Sequence, residues 1–213
     1  MALFQKKPSL ETSAPFYTVG LETTLLIVGL GNPGKEYEDT RHNIGFEILD
    51  NFAKKQDFPE WINKKDLKST ITSHKLGSNK IILAKPTIYM NNSGEAVQAI
   101  QHFYRIDNSK TLVVHDEIDI DFGFIRTRVG GASAGHNGIK SVIQHCGDDF
   151  SRVRIGIGPK KPVQIKSEDY VLASFSKQQQ ENIKLLLQES NSILSEYSFG
   201  TGELPAETRN FIV

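Results

Sequence analysis

The run Leu25-Leu26-Ile27-Val28-Gly29-Leu30-Gly31-Asn32-Pro33-Gly34 organises the chain. Four consecutive apolar residues halted by glycine have the pattern of a strand buried on both faces that enters a loop, and such strands lie at the centre of helix-covered sheets. The glycines let backbone come close to a ligand. Thr40-Arg41-His42-Asn43 follows, and His42 carries an imidazole, a side chain that can move protons. Beyond it Ile44, Ile48, Leu49 and Phe52 recur at helical spacing, which predicts a helix over 43–55 with His42 at its mouth.

Working outward, Thr70-Ile71-Thr72 and Ile81-Ile82-Leu83 flank Gly77-Ser78-Asn79 and predict a hairpin, so the sheet is expected to be mixed. Asn92 with Glu95 three residues on reads as a helix start, with Val97, Ile100, Phe103 and Tyr104 as the apolar face and an end near Arg105. Leu112-Val113-Val114 is a second buried-strand run, ended by His115-Asp116-Glu117 at its C-terminal edge, where ligands of open α/β sheets collect. Residues 124–129 alternate apolar and basic side chains, pointing Arg126 and Arg128 the same way. Gly130-Gly131-Ala132-Ser133-Ala134-Gly135 connects to a helix carrying Ile139, Val142, Ile143 and Cys146, and Val153, Ile155 and Ile157 mark another strand. Ser176 with Gln179 caps a final helix through Ile183, Leu186, Leu187, Leu194 and Tyr197, stopped by Gly200. The expectation is an α/β fold: a single domain over 23–213, its mixed central sheet flanked by helices on both faces. Residues 1–22, polar and without periodicity, read as an N-terminal extension that is poorly ordered or loosely docked.

With 213 residues and 38% hydrophobic content, the chain is large enough for a substantial core. No apolar run approaches the roughly 20 residues of a membrane span, and the lone Cys146 leaves no internal disulfide or thiolate zinc cluster. A soluble cytoplasmic protein is expected. Its 25 basic and 25 acidic side chains cancel, which excludes a globally basic nucleic-acid binder. The balance is uneven, however: residues 122–166 hold eight basic side chains against two acidic ones, a net of +6. A phosphate-holding flank and ordinary solvated surface both fit that excess.

Gly29-x-Gly31-x-x-Gly34 after a strand matches the dinucleotide-binding fingerprint formally. Pro33 and the charged residues 35–39 stand where an apolar helix should begin and present its amides to pyrophosphate, so the match fails in detail. His42 and Asp116, taken singly, fit structural roles more readily than catalysis. Asn32, Asn91 and Asn137 each sit beside or near glycine, which suits turns and helix caps; a carboxamide is equally a neutral donor and acceptor for an ester carbonyl or a water.

Six ordered motifs then resemble the bacterial-type peptidyl-tRNA hydrolase family. They are Gly29-Leu30-Gly31-Asn32-Pro33-Gly34-x-x-Tyr37, Thr40-Arg41-His42-Asn43-x-Gly45, Tyr89-Met90-Asn91-x-Ser93-Gly94, His115-Asp116-Glu117, Gly135-His136-Asn137-Gly138 and Arg152-x-Arg154-Ile155-Gly156-Ile157-Gly158. The resemblance runs from about residue 25 to about residue 200. It implies hydrolysis of the ester joining a peptide, or another N-blocked aminoacyl group, to the 3′ end of tRNA, with no cofactor or metal and with peptidyl-tRNA as the partner of a monomer. By that likeness His42 is the general base on water and Asp116 steadies it. Asn32 resembles the residue that separates blocked from free aminoacyl ends, and Tyr37, Tyr89, Asn91 and Asn137 resemble contacts to the substrate terminus. Arg126, Arg128, Lys140 and Arg154 fall on the family's basic rim, a surface suited to tRNA phosphates. The 130–135 loop is less glycine-rich than the family pattern and lacks a further histidine expected there. The competing reading is a non-catalytic RNA-binding or nucleotide-cofactor protein on a similar sheet.

Overall fold

The computed structural model describes residues 23–160 and 162–212, so the expectation for residues 1–22 lies outside the described residues. In chain order the regular elements are β1 (Thr23–Gly29), α1 (Ile44–Lys55), β2 (Ile62–Lys64), β3 (Ser69–Leu76), β4 (Asn79–Pro86), α2 (Ser93–Tyr104) and β5 (Thr111–Asp121). They continue with β6 (Phe124–Val129), α3 (Asn137–Cys146), β7 (Ser151–Gly158), α4 (Ser167–Val171), α5 (Lys177–Gln180), α6 (Ile183–Phe199) and β8 (Thr208–Asn210).

The strands form one sheet in the order β2-β3-β4-β1-β5-β7-β6-β8. The middle pairs β4–β1, β1–β5 and β5–β7 are parallel, and the outer pairs are antiparallel. Alternation along β1 divides the core. Leu25 and Ile27 join α1 and α6 on one face, while Leu26 and Val28 join α2 and α3 on the other. Both faces are covered, which is why β1 reads as an unbroken apolar run. No helix among the described residues is long and apolar enough to cross a membrane.

Two local expectations are corrected, and a third, the helix start at Asn92, holds without a side-chain cap. The polar cluster 115–117 does not end its strand, because β7 keeps pairing with β5 through Glu117↔Gly156 after β1 has stopped at Gly29↔Val114. Asn92 and Glu95 form no capping box: the Asn92 side chain makes no cap bond, and Glu95 pairs instead with Lys68. The Ser176–Gln179 box does form, but it caps only the short α5. Asn182 then turns its side chain back to the Gln178 carbonyl, and α6 starts afresh at Ile183.

Candidate active site

The site is assembled where β1 ends and β5 continues. Leu30 N–H donates to Val114 O at 2.9 Å, and α1 begins so close to this junction that a Cβ on Gly45 would lie 2.6 Å from both Leu30 O and Val114 O. Only glycine permits that approach. It sets the 3₁₀ turn Arg41–Asn43 directly over the strand ends, three residues before Gly45, with Asp116 two residues beyond Val114.

There His42 Nδ1 and Asp116 Oδ1 are 2.8 Å apart, although 74 positions separate them in sequence. The same oxygen receives His136 Nε2 at 2.9 Å, and the two imidazole centroids stand 4.8 Å apart. The network assigns the protons. Ile139 N–H donates to His136 Nδ1 at 3.2 Å, making His136 the N-cap of α3, so its remaining proton sits on Nε2 and points at Asp116. Asp116, ionised, accepts from both rings. His42 therefore carries its proton on Nδ1 and keeps Nε2 free as an acceptor.

All three residues are buried, with Asp116 only 2% exposed. Burial opposes ionisation of Asp116, yet the combined pull of His42 and His136 holds its carboxyl well below the usual carboxylate range. Behind them His115 is pushed well below its ordinary value by burial and by the neighbouring His136, and its Nδ1–H donates to Asp116 O at 2.7 Å. Its ring meets His136 edge-on at 4.8 Å. Among the described residues, His42, Asp116 and His136 are the group whose potential metal-ligating atoms lie within 4.8 Å of one another, but their facing atoms are already engaged in the hydrogen bonds above.

A cleft of about 210 Å³ opens over this network, lined by His42, Asp116, His136 and Asn137 with Ser167, Glu168 and Val171 as its far wall. Asn137 is exposed there as the first residue of α3. A separate groove of about 530 Å³ is lined by Asn32, by Thr40 and Asn43, which flank the Arg41-His42 pair in sequence, and by Glu47 of α1. Asn32 is clamped: its N–H donates to Asn43 Oδ1 at 2.8 Å, its C=O accepts from Asn43 Nδ2 at 2.9 Å, and its Oδ1 accepts from Met90 N–H at 2.8 Å. With Oδ1 so engaged, Nδ2 is the atom left to donate to a ligand. The Met90 bond also brings Tyr89 and the exposed Asn91 beside this groove, where Tyr37 and Tyr89 meet edge to face at 6.3 Å.

The model of the family described as peptidyl-tRNA hydrolase matches residues 26–209. The chain belongs to that family. The Clostridium botulinum (strain 657 / Type Ba4) peptidyl-tRNA hydrolase is 48% identical over 164 residues, covering 76% of this chain and 84% of the relative. That of Shouchella clausii (strain KSM-K16) is 50% identical over 134 residues, 62% of this chain and 71% of the relative. The crystal structure of the Acinetobacter baumannii peptidyl-tRNA hydrolase superposes with a TM-score of 0.73 at 33% identity, covering 82% of this chain and 86% of that one.

Within this peptidyl-tRNA hydrolase fold the basic residues divide. On β6 and β7 Arg126 lies opposite Arg154, and Arg128 opposite Arg152. Arg126 is exposed, Arg128 and Arg154 are half-buried, and Lys140 is exposed on α3. Arg152, counted in the sequence with the basic flank, is instead 1% exposed. It donates to the carbonyls of Gly131 and Ala132 and lies over the Phe150 ring, bracing the 130–135 loop. Burial, with Arg128 and Arg154 alongside, brings its guanidinium down to about 10. Sequence reasoning gave no role to His136 or His115. The signal for His136 was its place directly before an apolar-periodic helix, the N-cap position.

Proposed function

We propose that this chain hydrolyses the ester between a peptide, or another N-blocked aminoacyl group, and the 3′ end of tRNA, with His42 as general base. The observation that carries the reading is the 2.8 Å bond from His42 Nδ1 to Asp116, which leaves Nε2 as an acceptor at the cleft. Nε2 takes a proton from water, the resulting hydroxide adds to the ester carbonyl, and collapse of the tetrahedral intermediate expels the tRNA 3′ oxygen, which receives the proton back from His42. Asp116 stabilises the imidazolium that forms between these steps. The amides of Asn32, Asn91 and Asn137 supply neutral donors for the carbonyl oxygens without adding charge. Tyr37 and Tyr89 offer aromatic surface to the unstacked terminal adenosine.

Arg126, Arg128, Arg154 and Lys140 meet tRNA phosphates on the side of the sheet beyond Asp116. No cofactor enters this scheme, and the protein acts as a cytoplasmic monomer. Incubating it with a chelator and N-acetyl-aminoacyl-tRNA is the direct test, and the expected result is release of free tRNA. His42→Ala should abolish cleavage while retaining tRNA affinity; undiminished turnover by that variant would remove the proposed base. A binding module without chemistry, the alternative kept open in the sequence, would leave the ester intact in every sample.

A further inference from the structure

Arg41 belongs to the Thr40-Arg41-His42-Asn43 motif, and the scheme above leaves it without a task. It shares the 3₁₀ turn of His42 and is only 7% exposed. Its Nη1 donates to Tyr170 O at 3.2 Å and to Ala173 O at 3.1 Å, and Nη2 donates to Gln179 Oε1 at 3.1 Å. The guanidinium lies 4.2 Å over the Tyr170 ring, and the Arg41 backbone N–H also donates to Ala173 O at 3.1 Å. Thr40 pairs with Ser174 in an isolated bridge. Every acceptor is neutral, and among the described residues no carboxylate forms an ion pair with Arg41.

Burying a cation with carbonyl partners alone is a costly way to fill space, since an apolar residue of similar volume packs without desolvation. What the guanidinium fork adds is direction: several donors in fixed geometry, all received by one segment. That segment, 167–179, carries Ser167, Glu168 and Val171 on the far wall of the catalytic cleft, and Tyr170 OH ties it to Ile157 O at 2.7 Å on β7. The carbonyls that Arg41 engages are Tyr170 O in the last turn of α4, which also accepts Ala173 N–H at 3.3 Å, and Ala173 O just past it.

We propose that Arg41 is a positioning residue: it latches the turn bearing His42 to the cleft wall, so that Nε2 and the wall keep a fixed separation while an ester lies between them. The inference rests on the reading of His42 as the base. A displacement of about 1 Å at the reacting groups is enough to cost about 10²-fold in rate.

The test compares wild type with Arg41→Ala and Arg41→Lys for kcat, KM, affinity for free tRNA and melting temperature. It also follows the downfield proton resonance of the His42 Nδ1–H bond to Asp116. The Ala variant should lose about 10²-fold in kcat with KM and tRNA affinity within about threefold of wild type, its downfield resonance broadened or lost, and methylguanidinium should restore part of the rate. Arg41→Lys, which keeps the charge and reaches one carbonyl but cannot form the fork, covers the case in which Ala does not fold; about tenfold loss is expected. A folded variant with kcat within about twofold of wild type and an unchanged resonance overturns the proposal, as does a change confined to KM. Should wild type itself fail to cleave the ester, the reading of His42 falls, and the proton resonance alone decides whether Arg41 positions the ring.

Discussion

Replacing Asp116 by Asn separates two effects that a carboxylate normally combines, the orientation of a histidine and the stabilisation of its charge. In many hydrogen-bonded dyads an amide can turn its NH₂ toward the ring and select the wrong tautomer, which costs about 10⁴-fold. Here both ring donors converge on one atom, Oδ1, and among the described residues no hydrogen bond is made to Oδ2. His136 cannot relax this demand, because its Nδ1 is held as an acceptor by Ile139 N–H. The asparagine is therefore expected to keep oxygen toward the two rings and NH₂ at the vacant position. His42 retains its Nδ1 proton and its free Nε2, and only the negative charge is lost. With charge centres about 4 Å apart and an effective dielectric near 20, that charge contributes about 4 kcal/mol to the imidazolium; a neutral hydrogen bond recovers roughly 1 kcal/mol of it. The remaining loss of about 3 kcal/mol corresponds to about 10²-fold in kcat. Single-turnover cleavage of N-acetyl-aminoacyl-tRNA by Asp116→Asn and His42→Ala, side by side, measures it. A loss in Asp116→Asn as deep as that of His42→Ala would show that orientation fails too, and a loss smaller than about threefold would show that the carboxylate charge is not used.

Further outcomes follow from the same geometry. His136→Asn preserves an N-cap for α3 but cannot reach Asp116, so kcat should fall about tenfold with melting temperature nearly unchanged, whereas His136→Ala should also lose about 1 kcal/mol of stability; equal melting temperatures would refute the capping role. Because the fold pushes His115 well below its ordinary value of 6.5, the unfolded chain binds a proton there that the native one does not; stability is full above that pH and falls as pH drops below it, by about 1.4 kcal/mol per unit. His115→Asn should flatten urea-measured stability between pH 6.5 and 5 by about one proton, and an unaltered slope would count against it. Gly45→Ala drives a methyl into backbone oxygens 2.6 Å away and should cost about 3 kcal/mol in urea denaturation. Arg126→Ala should lower the salt dependence of tRNA binding by about one counterion, and an unchanged slope would remove it from the phosphate-binding surface.

The elements legible in the sequence are those whose neighbours impose a strong pattern. Leu25–Val28 and Leu112–Val114 are covered on both faces, so each is an apolar run, and α1 shows one buried stripe through Ile44, Ile48, Leu49 and Phe52. Edge strands have no such pressure. β2 is exposed at all three positions and β8 is nearly so, and neither is marked by apolar alternation. The second half of β5, Glu117-Ile118-Asp119-Ile120-Asp121, is a strand only because β7 continues beside it. Likewise the pairing of His42 with Asp116 is carried by the β1–β5 register and by the clearance at Gly45, both long-range facts; residue types alone left each of them compatible with a structural role. The role of His136 was concealed differently, since a histidine can cap a helix with one nitrogen and donate to a carboxylate with the other, and only the second is visible as chemistry.

Arg152 shows why a charge count cannot stand in for a surface. In register, β6 and β7 set Arg126 against Arg154 and Arg128 against Arg152, and like charges directly opposed in a sheet destabilise it. Arg152 escapes by turning inward to the carbonyls of Gly131 and Ala132. Burial, Arg128 and Arg126 act to depress Arg154 and Glu117 offsets them only in part, while among the described residues Arg126, Arg128 and Arg154 form no direct ion pair. A cross-strand pair that the folded chain leaves repulsive gains most from an external anion, because each phosphate that arrives removes a repulsion as well as adding an attraction. The basic flank lies on the β6–β7 side of the sheet, where the proposed function places the tRNA, while Asn32 and its groove lie on the β1–β4 side. In the function proposed here, the tRNA lies on the β6–β7 side, the acyl group lies toward Asn32, and the scissile bond lies at His42 between them.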